Sequence, residues 1–394
     1  MKKLILPLIF AFFICSNIYA AEITQPKIAA QGAILMDART GRVLWEHNSQ
    51  TPMAMASTTK IMTAIIALEN GNLTDTVTVS KRAASAPEVN MNLTTGEELT
   101  LEALLYALML QSYNDAAVAI AEHIGGDVET FCAMMTEKAK ELGAKDTIFE
   151  TPNGLDAGDH HSTAYDMALI TQYALKNEKF MDIINTPRLS IHTNKRTCDL
   201  YNKNRLLTEY SGANGVKTGF TGKAGQCFVG AAQRGDMQLI SVVLASGWGD
   251  VGKEQKWIDS KRLLDYGFDN YKYVEIVKEN DPCGVLNITR TKILQVSLTL
   301  EEGLLMPLNA GEAAGIRIQY TIPETVPAPV EKGQVMGKCI ITINGDLITT
   351  INLLAESDSP RHDFQTSVKK VLRDWAQMGT VEEIPMDSFD FLDW

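Results

Sequence analysis

Three short polar motifs carry the residues of this chain best suited to covalent chemistry: Ser57-Thr58-Thr59-Lys60, Ser112-Tyr113-Asn114 and Lys217-Thr218-Gly219. A serine hydroxyl is a poor nucleophile until a base takes its proton, and residues three apart share one face of a helix, so Lys60 can reach Ser57. A free lysine has a pKa of about 10.4. Lys60 therefore works as a general base only where burial or a second cation disfavours its charged form. Lys217 supplies that cation if the third motif lies across the pocket, and stays charged itself to anchor a substrate carboxylate. Unpaired N–H groups at a helix N-terminus favour developing negative charge, which makes the Ser57 N–H one oxyanion donor. Ser112 and Asn114 can relay a proton to a leaving nitrogen and hold substrate backbone. Gly219 lets a substrate chain approach a strand edge closely, and the following N–H, from Phe220, is the second oxyanion donor. The set describes an acyl-transferring serine enzyme that needs no metal and no cofactor.

Each motif alone is weak, since Ser-x-x-Lys arises by chance about once or twice in a chain of this length. A second copy, Ser367-Val368-Lys369-Lys370, has neither companion motif after it and reads as chance. Lys-Thr-Gly occurs once, and the ordered set is what carries weight. His160 and His161 beside Asp159 lie in a polar, Gly-containing loop and read as surface or substrate-loop residues, not as a Ser-His-Asp set. No His-Glu-x-x-His helix is present, which disfavours a zinc peptidase.

The elements that must position these residues follow from periodicity and turn chemistry. Ala33–Asp37 and Val43–His47 read as a hairpin around Ala38-Arg39-Thr40-Gly41. Ile61–Leu68 reads as an apolar helix closed by Asn70-Gly71, with Ser57 at its N-terminal edge. Leu99–Leu110 reads as a helix that delivers Ser112, and Asp115–Ile124 and Val128–Leu142 as two more, an all-helical lobe. Phe228–Gln233 and Leu239–Ala245 form a second expected hairpin, with Lys217 at the mouth of a strand and Lys253–Tyr266 as a helix. The sheet is thus expected to assemble from distant segments of a mixed helix-and-sheet domain. From Tyr271 strands dominate, over Ile288–Leu300, Gly315–Thr321, Lys338–Ile343 and Leu347–Leu353, a separate β-rich domain. Phe364, Val368, Val371, Leu372 and Trp375 then fall at helical spacing. That helix suits either a membrane surface or packing on its own domain, and the acidic stretch Glu382–Asp393 opposes anionic lipid.

The 394 residues, 45% of them hydrophobic, have room for two domains and a large core. A net charge of −12 argues against a nucleic-acid partner. Lys2 and Lys3, the apolar stretch Leu4–Cys15 and Ala20-Ala21 read as a secretory signal peptide over residues 1–21, whose removal takes two positive charges and leaves −14. The expected location is therefore outside the cytoplasm, periplasmic or extracytoplasmic. No later segment reaches the roughly 18 apolar residues of a membrane span. Five cysteines remain after processing; Cys283 and Cys339 are the pair considered for a bridge, against the plainer reading of small buried hydrophobes.

These motifs, in this order and spacing, resemble the signature of penicillin-binding proteins and serine β-lactamases. Leu110-Gln111-Ser112-Tyr113-Asn114-Asp115-Ala116-Ala117, Thr151-Pro152-Asn153-Gly154-Leu155, His161-Ser162-Thr163-Ala164-Tyr165-Asp166 and Gly215-Val216-Lys217-Thr218-Gly219 narrow the likeness to the low-molecular-weight D-alanyl-D-alanine carboxypeptidases, peptidase S11, over roughly Ile28–Tyr271. The resemblance implies an α+β fold: a penicillin-binding, β-lactamase-like transpeptidase domain with an antiparallel sheet and an all-helical lobe over 22–270, an all-β domain over 271–360 and an amphipathic helix with acidic tail over 361–394. It implies peptidoglycan stem peptides as substrate, Ser57 as acyl-ester nucleophile, Lys217 and Thr218 on the terminal carboxylate, and β-lactam antibiotics as inhibitors. Tyr113, where a small residue is frequent, and Phe220 after the third motif depart from the common pattern and bear on specificity. The runner-up is a serine β-lactamase, but Glu150-Thr151-Pro152-Asn153-Gly154 lacks the Glu-x-x-Leu-Asn arrangement fast deacylation needs. An inactive cell-wall binding protein is the other alternative.

Overall fold

The computed structural model describes residues 24–87, 89–361 and 364–378. The signal-peptide segment and the acidic tail lie outside the described residues. The chain divides into two compact units, one of Met1–Tyr273 with Pro307–Ala310, the other of Val274–Met306 with Gly311 onward.

The first unit is organised by a five-stranded antiparallel sheet in the order Val43–His47, Gly32–Asp37, Met237–Leu244, Gly225–Arg234, Ala213–Thr221. The two N-terminal strands pair with three strands from some 200 residues later, so the whole helical lobe is an insertion into one sheet. Both faces of that sheet are covered. Ile34, Met36, Ile240 and Val242 join the core of the helical lobe. Their neighbours Leu35, Leu239, Val243 and Phe228 pack with Trp257, Leu263 and Leu264 of the helix Gly249–Asn270. Burial on two faces explains why Gly225–Arg234 is enclosed along its first eight residues and shows no clean alternation.

The lobe contains helices Lys60–Asn70, Asn114–Gly125 and Val128–Glu141. The helix expected from Leu99 begins at Leu101 instead, because the Thr100 hydroxyl accepts the Ala103 N–H as an N-cap and Leu99 pairs with Val77 in a two-stranded ladder. Its last turn, Ala107–Gln111, widens into a π-helical turn and stops at Ser112 in the left-handed conformation (φ 66°, ψ 32°). Lys217-Thr218-Gly219 lies in the middle of its nine-residue edge strand, not at the mouth.

The second unit holds a six-stranded sheet, ordered Ile316–Thr321, Val335–Ile343, Asp346–Ala355, Gln295–Leu300, Pro282–Thr289, Thr325–Pro327. The single strand expected over Ile288–Leu300 is two strands joined by a turn at Arg290 (φ 60°), with Asn287 opposite Gln295. Leu286, Leu298, Ile341 and Leu353 build its core, and Cys339 packs among them. Cys283 and Cys339 are free thiols, so they follow the plainer reading. The terminal helix Phe364–Met378 leaves Phe364 81% and Trp375 75% exposed, so among the described residues little covers its apolar stripe.

Candidate active site

The nucleophile turn is a short 3-10 segment, Ala56–Thr59, that runs directly into the helix Lys60–Asn70. This places Ser57 one turn before Lys60, as an i, i+3 pair on one face. Lys60 Nζ stands 2.8 Å from Ser57 Oγ, 2.8 Å from Asn114 Oδ1 and 2.5 Å from the Asn153 carbonyl oxygen. Asn114 Nδ2 donates to the Pro87 carbonyl at 3.0 Å, which orients the amide with its oxygen toward Lys60. Two of the three partners can therefore only accept, and they hold two amine hydrogens. In the neutral amine the remaining lone pair points at the third partner, Ser57 Oγ, the direction a general base requires.

Lys60 and Lys217 are both fully enclosed. Burial holds Lys60 well below the usual lysine range, with Lys217 and then Lys203 adding to the effect and Asp115 opposing it. Burial likewise lowers Lys217 to about 7, reinforced by Lys203 and Lys256. Lys256, whose Nζ stands 2.5 Å from Gln226 Oε1, is lowered to about 8, chiefly by burial. The expected depression of Lys60 by Lys217 thus has its physical cause in place. Burial, Lys203 and Lys256 leave the charged form of Lys217 less favoured than that of an ordinary lysine.

Two loops complete the pocket. The Asn153 carbonyl is presented by Gly154, at φ +86°, where a Cβ would lie 2.0 Å from the Ala56 carbonyl oxygen; only glycine fits. Asp115 accepts the Met91 and Leu93 backbone N–H groups and so ties the segment 91–93 to the turn carrying Asn114. Ala56 (φ 50°) and Ser112 (φ 66°) are both non-glycine residues in the left-handed region, each at a cost of order 1–3 kcal/mol, a pattern that concentrates at functional sites.

The edge strand carrying the third motif packs against the nucleophile turn. A Cβ at Gly219 would meet Ser57 N at 3.0 Å and Ala56 Cβ at 3.1 Å. Glycine at 219 therefore lets the strand lie close to the Ser57 backbone nitrogen, a packing reason beside the substrate clearance its sequence suggested. Lys217 Nζ donates to the Thr218 carbonyl at 2.9 Å, and the Phe220 side chain is 52% exposed. Ser57, Lys60 and Asn114 are thus directly bonded, and Lys217 acts on Lys60 through its charge. Ser112 is buried at the end of its helix. The stray Ser367–Lys370 copy lies on the terminal helix of the other unit.

Four contributors escaped sequence reasoning. Asn153 acts through its backbone oxygen, which no side-chain pattern announces. Lys203 and Lys256 stand outside every motif; the only trace of Lys203 is that its N–H donates to the Leu110 carbonyl at 3.1 Å, beside the turn carrying Ser112. His160, expected at the surface or in a substrate loop, is buried and hydrogen-bonded to Thr59 inside the first motif. His161 pairs with Asp159 at the surface.

Comparison with known proteins matches both parts of the chain to family models. The D-alanyl-D-alanine carboxypeptidase (peptidase S11) family profile matches residues 19–247, and the profile of the C-terminal domain of penicillin-binding protein 5 matches 271–361. The chain is 34% identical to the D-alanyl-D-alanine carboxypeptidase DacF of Bacillus subtilis over 356 residues, covering 88% of this chain and 90% of that protein. It is 33% identical to DacC of Escherichia coli over 365 residues, 86% and 87% of the two chains. Among solved structures, penicillin-binding protein 5 from Haemophilus influenzae superposes with a TM-score of 0.73 at 29% identity, covering 86% of this chain and all of the other.

Proposed function

This chain belongs to the serine-type D-alanyl-D-alanine carboxypeptidases of the peptidase S11 family, and from that premise we propose that it works through an acyl-enzyme on Ser57. The substrate is a peptidoglycan stem peptide ending in D-Ala-D-Ala. Neutral Lys60 takes the Ser57 proton as Oγ attacks the carbonyl carbon of the penultimate D-alanine. The N–H groups of Ser57 and Phe220 receive the oxyanion, while Lys217 and Thr218 hold the terminal carboxylate. When the C–N bond breaks, the proton passes from Lys60 through Ser112 to the leaving amine, and Asn114 steadies both Lys60 and the substrate backbone. Water, deprotonated by Lys60, then hydrolyses the ester. A β-lactam presents a strained amide in place of the D-Ala-D-Ala bond and keeps its leaving nitrogen tethered, so it acylates Ser57 and leaves slowly.

The observation that carries this reading is the Lys60 Nζ to Ser57 Oγ contact of 2.8 Å in a site where burial and neighbouring cations favour the neutral amine. The test is labelling by a fluorescent penicillin beside a D-alanine release assay on wild type and Ser57→Ala. Both signals are expected to vanish in the variant, and release that survives without Ser57 refutes the mechanism. The same reading places the enzyme outside the cytoplasm, where stem peptides are remodelled. The uncovered stripe of Phe364, Val371, Leu372 and Trp375 supports peripheral contact with a membrane surface. Among the described residues no helix is long and apolar enough to cross a membrane.

A further inference from the structure

One side chain outside the three motifs joins the nucleophile turn to the loop that presents the Asn153 carbonyl. His160 is 3% exposed, its Nδ1 lies 3.0 Å from Glu150 N and its Nε2 lies 2.9 Å from Thr59 Oγ1. The protons have one consistent arrangement. A backbone N–H can only donate, so Nδ1 is the bare, accepting nitrogen and the neutral ring carries its hydrogen on Nε2. Thr59 Oγ1 donates its own hydrogen to the Ala56 carbonyl at 2.8 Å and therefore accepts from Nε2–H. The relay runs from the Glu150 amide through the imidazole and the Thr59 hydroxyl to Ala56, the left-handed residue immediately before Ser57.

We propose that His160 is a positioning residue for Ser57: as the Nε2–H tautomer it clamps Thr59 to the start of the 150–160 loop. In doing so it sets both the turn that aims Ser57 at Lys60 and the loop that delivers the Asn153 carbonyl. The proposal rests on the reading of Ser57 as nucleophile. The ring plane is held by Phe149, edge-on with centroids 5.9 Å apart. Burial, with His161 and Lys223 contributing, lowers the imidazole to about 4, so the clamp keeps its neutral form throughout the neutral range. The loop is braced at the same place by Asp159 N donating to Glu150 Oε1 at 3.1 Å, so a shift of His160 has no slack to be absorbed in.

The experiment measures the rate of Ser57 acylation by a fluorescent penicillin and steady-state D-alanine release, on the full chain, for wild type, His160→Gln and His160→Leu. Glutamine carries an acceptor and a donor on neighbouring atoms of one carbon, as imidazole does, and is expected to recover most of the acylation rate. Leucine fills the space without either bond and is expected to lose roughly 10- to 100-fold in acylation and kcat, with KM changed less than about twofold, as misplaced reacting groups do. The nitrogen NMR signature of His160 in the wild type is expected to report Nε2–H at neutral pH. Equal rates in wild type and His160→Leu, equal losses in both variants, or a hydrogen found on Nδ1 each overturn the proposal. Should His160→Leu fail to fold, Thr59→Val breaks the same link and is expected to show the same loss; an unchanged rate there overturns it equally. Wild-type turnover independent of Ser57 would instead refute the acyl-enzyme reading, while the tautomer measurement still judges the clamp.

Discussion

Lys217→Met tests whether the site stores the cost of a buried cation. Lys217 is fully enclosed and, among the described residues, has no carboxylate partner and donates only to the Thr218 carbonyl. Burial, Lys203 and Lys256 bring it from the ordinary 10.5 to about 7. At 1.36 kcal/mol for each tenfold change in proton affinity, that difference corresponds to roughly 5 kcal/mol of destabilisation at and below pH 7. Replacement by methionine removes the cost, loses one hydrogen bond worth ~1 kcal/mol and disturbs packing by about as much. The net expectation is a variant more stable than wild type by on the order of 2–3 kcal/mol at pH 7, with D-alanine release largely abolished. The sign with pH follows from the lowered folded-state pKa. Between about pH 7 and 10.5 the unfolded chain binds the proton that the folded chain does not, so wild-type stability from this group rises with pH and the advantage of the variant shrinks. Denaturant unfolding of both proteins at pH 7 and pH 9 measures this. A variant equally or less stable at pH 7, or an advantage that grows with pH, would refute the reasoning.

Lys203→Met removes a cation that lowers both Lys60 and Lys217, so both pKa values rise. The acid limb of the penicillin acylation profile is expected to move to higher pH, and a profile that stays put or moves to lower pH counts against a charge role for Lys203. Gly154→Ala puts a Cβ 2.0 Å from the Ala56 carbonyl at a φ of +86°; the loop must move, taking the Asn153 carbonyl from Lys60, and acylation is expected to fall at least about 10-fold with ~2 kcal/mol of stability lost. Stopped-flow acylation beside a melting curve checks both. Gly219→Ala presses a methyl against Ser57 N at 3.0 Å and is expected to lower kcat for D-alanine release about 10-fold or more, consistent with a blocked oxyanion donor. Trp375→Glu, on the uncovered stripe of the terminal helix, is expected to reduce co-sedimentation with phospholipid vesicles several-fold while leaving D-alanine release in solution unchanged.

The amino-acid sequence by itself marked the residues proposed for the chemistry. Ser57 and Lys60 are bound together by helical periodicity alone, and hairpin turns and apolar runs located both sheet hairpins and the helical lobe. These are local properties, read from spacing and turn chemistry over a few residues. Element edges were less legible: Thr100 looked like the interior of a helix, and only its cap geometry and the pairing of Leu99 with Val77 make it a boundary. His160 read as a loop residue because its burial depends on Thr59 and Glu150, the first of them about a hundred positions away.

Only the tertiary structure supplies the lowering of the Lys60 pKa on which the proposed mechanism depends. The pKa of Lys60 is set by enclosure and by Lys217 and Lys203, residues more than 140 positions away, and desolvation has no signature in the local text. The Asn153 carbonyl, which completes the acceptor set of Lys60, is a backbone atom available to any residue type and becomes functional only because Gly154 permits its approach. Motif residues announce reactivity through their side chains. The field and the backbone that tune them exist only once distant segments are packed together.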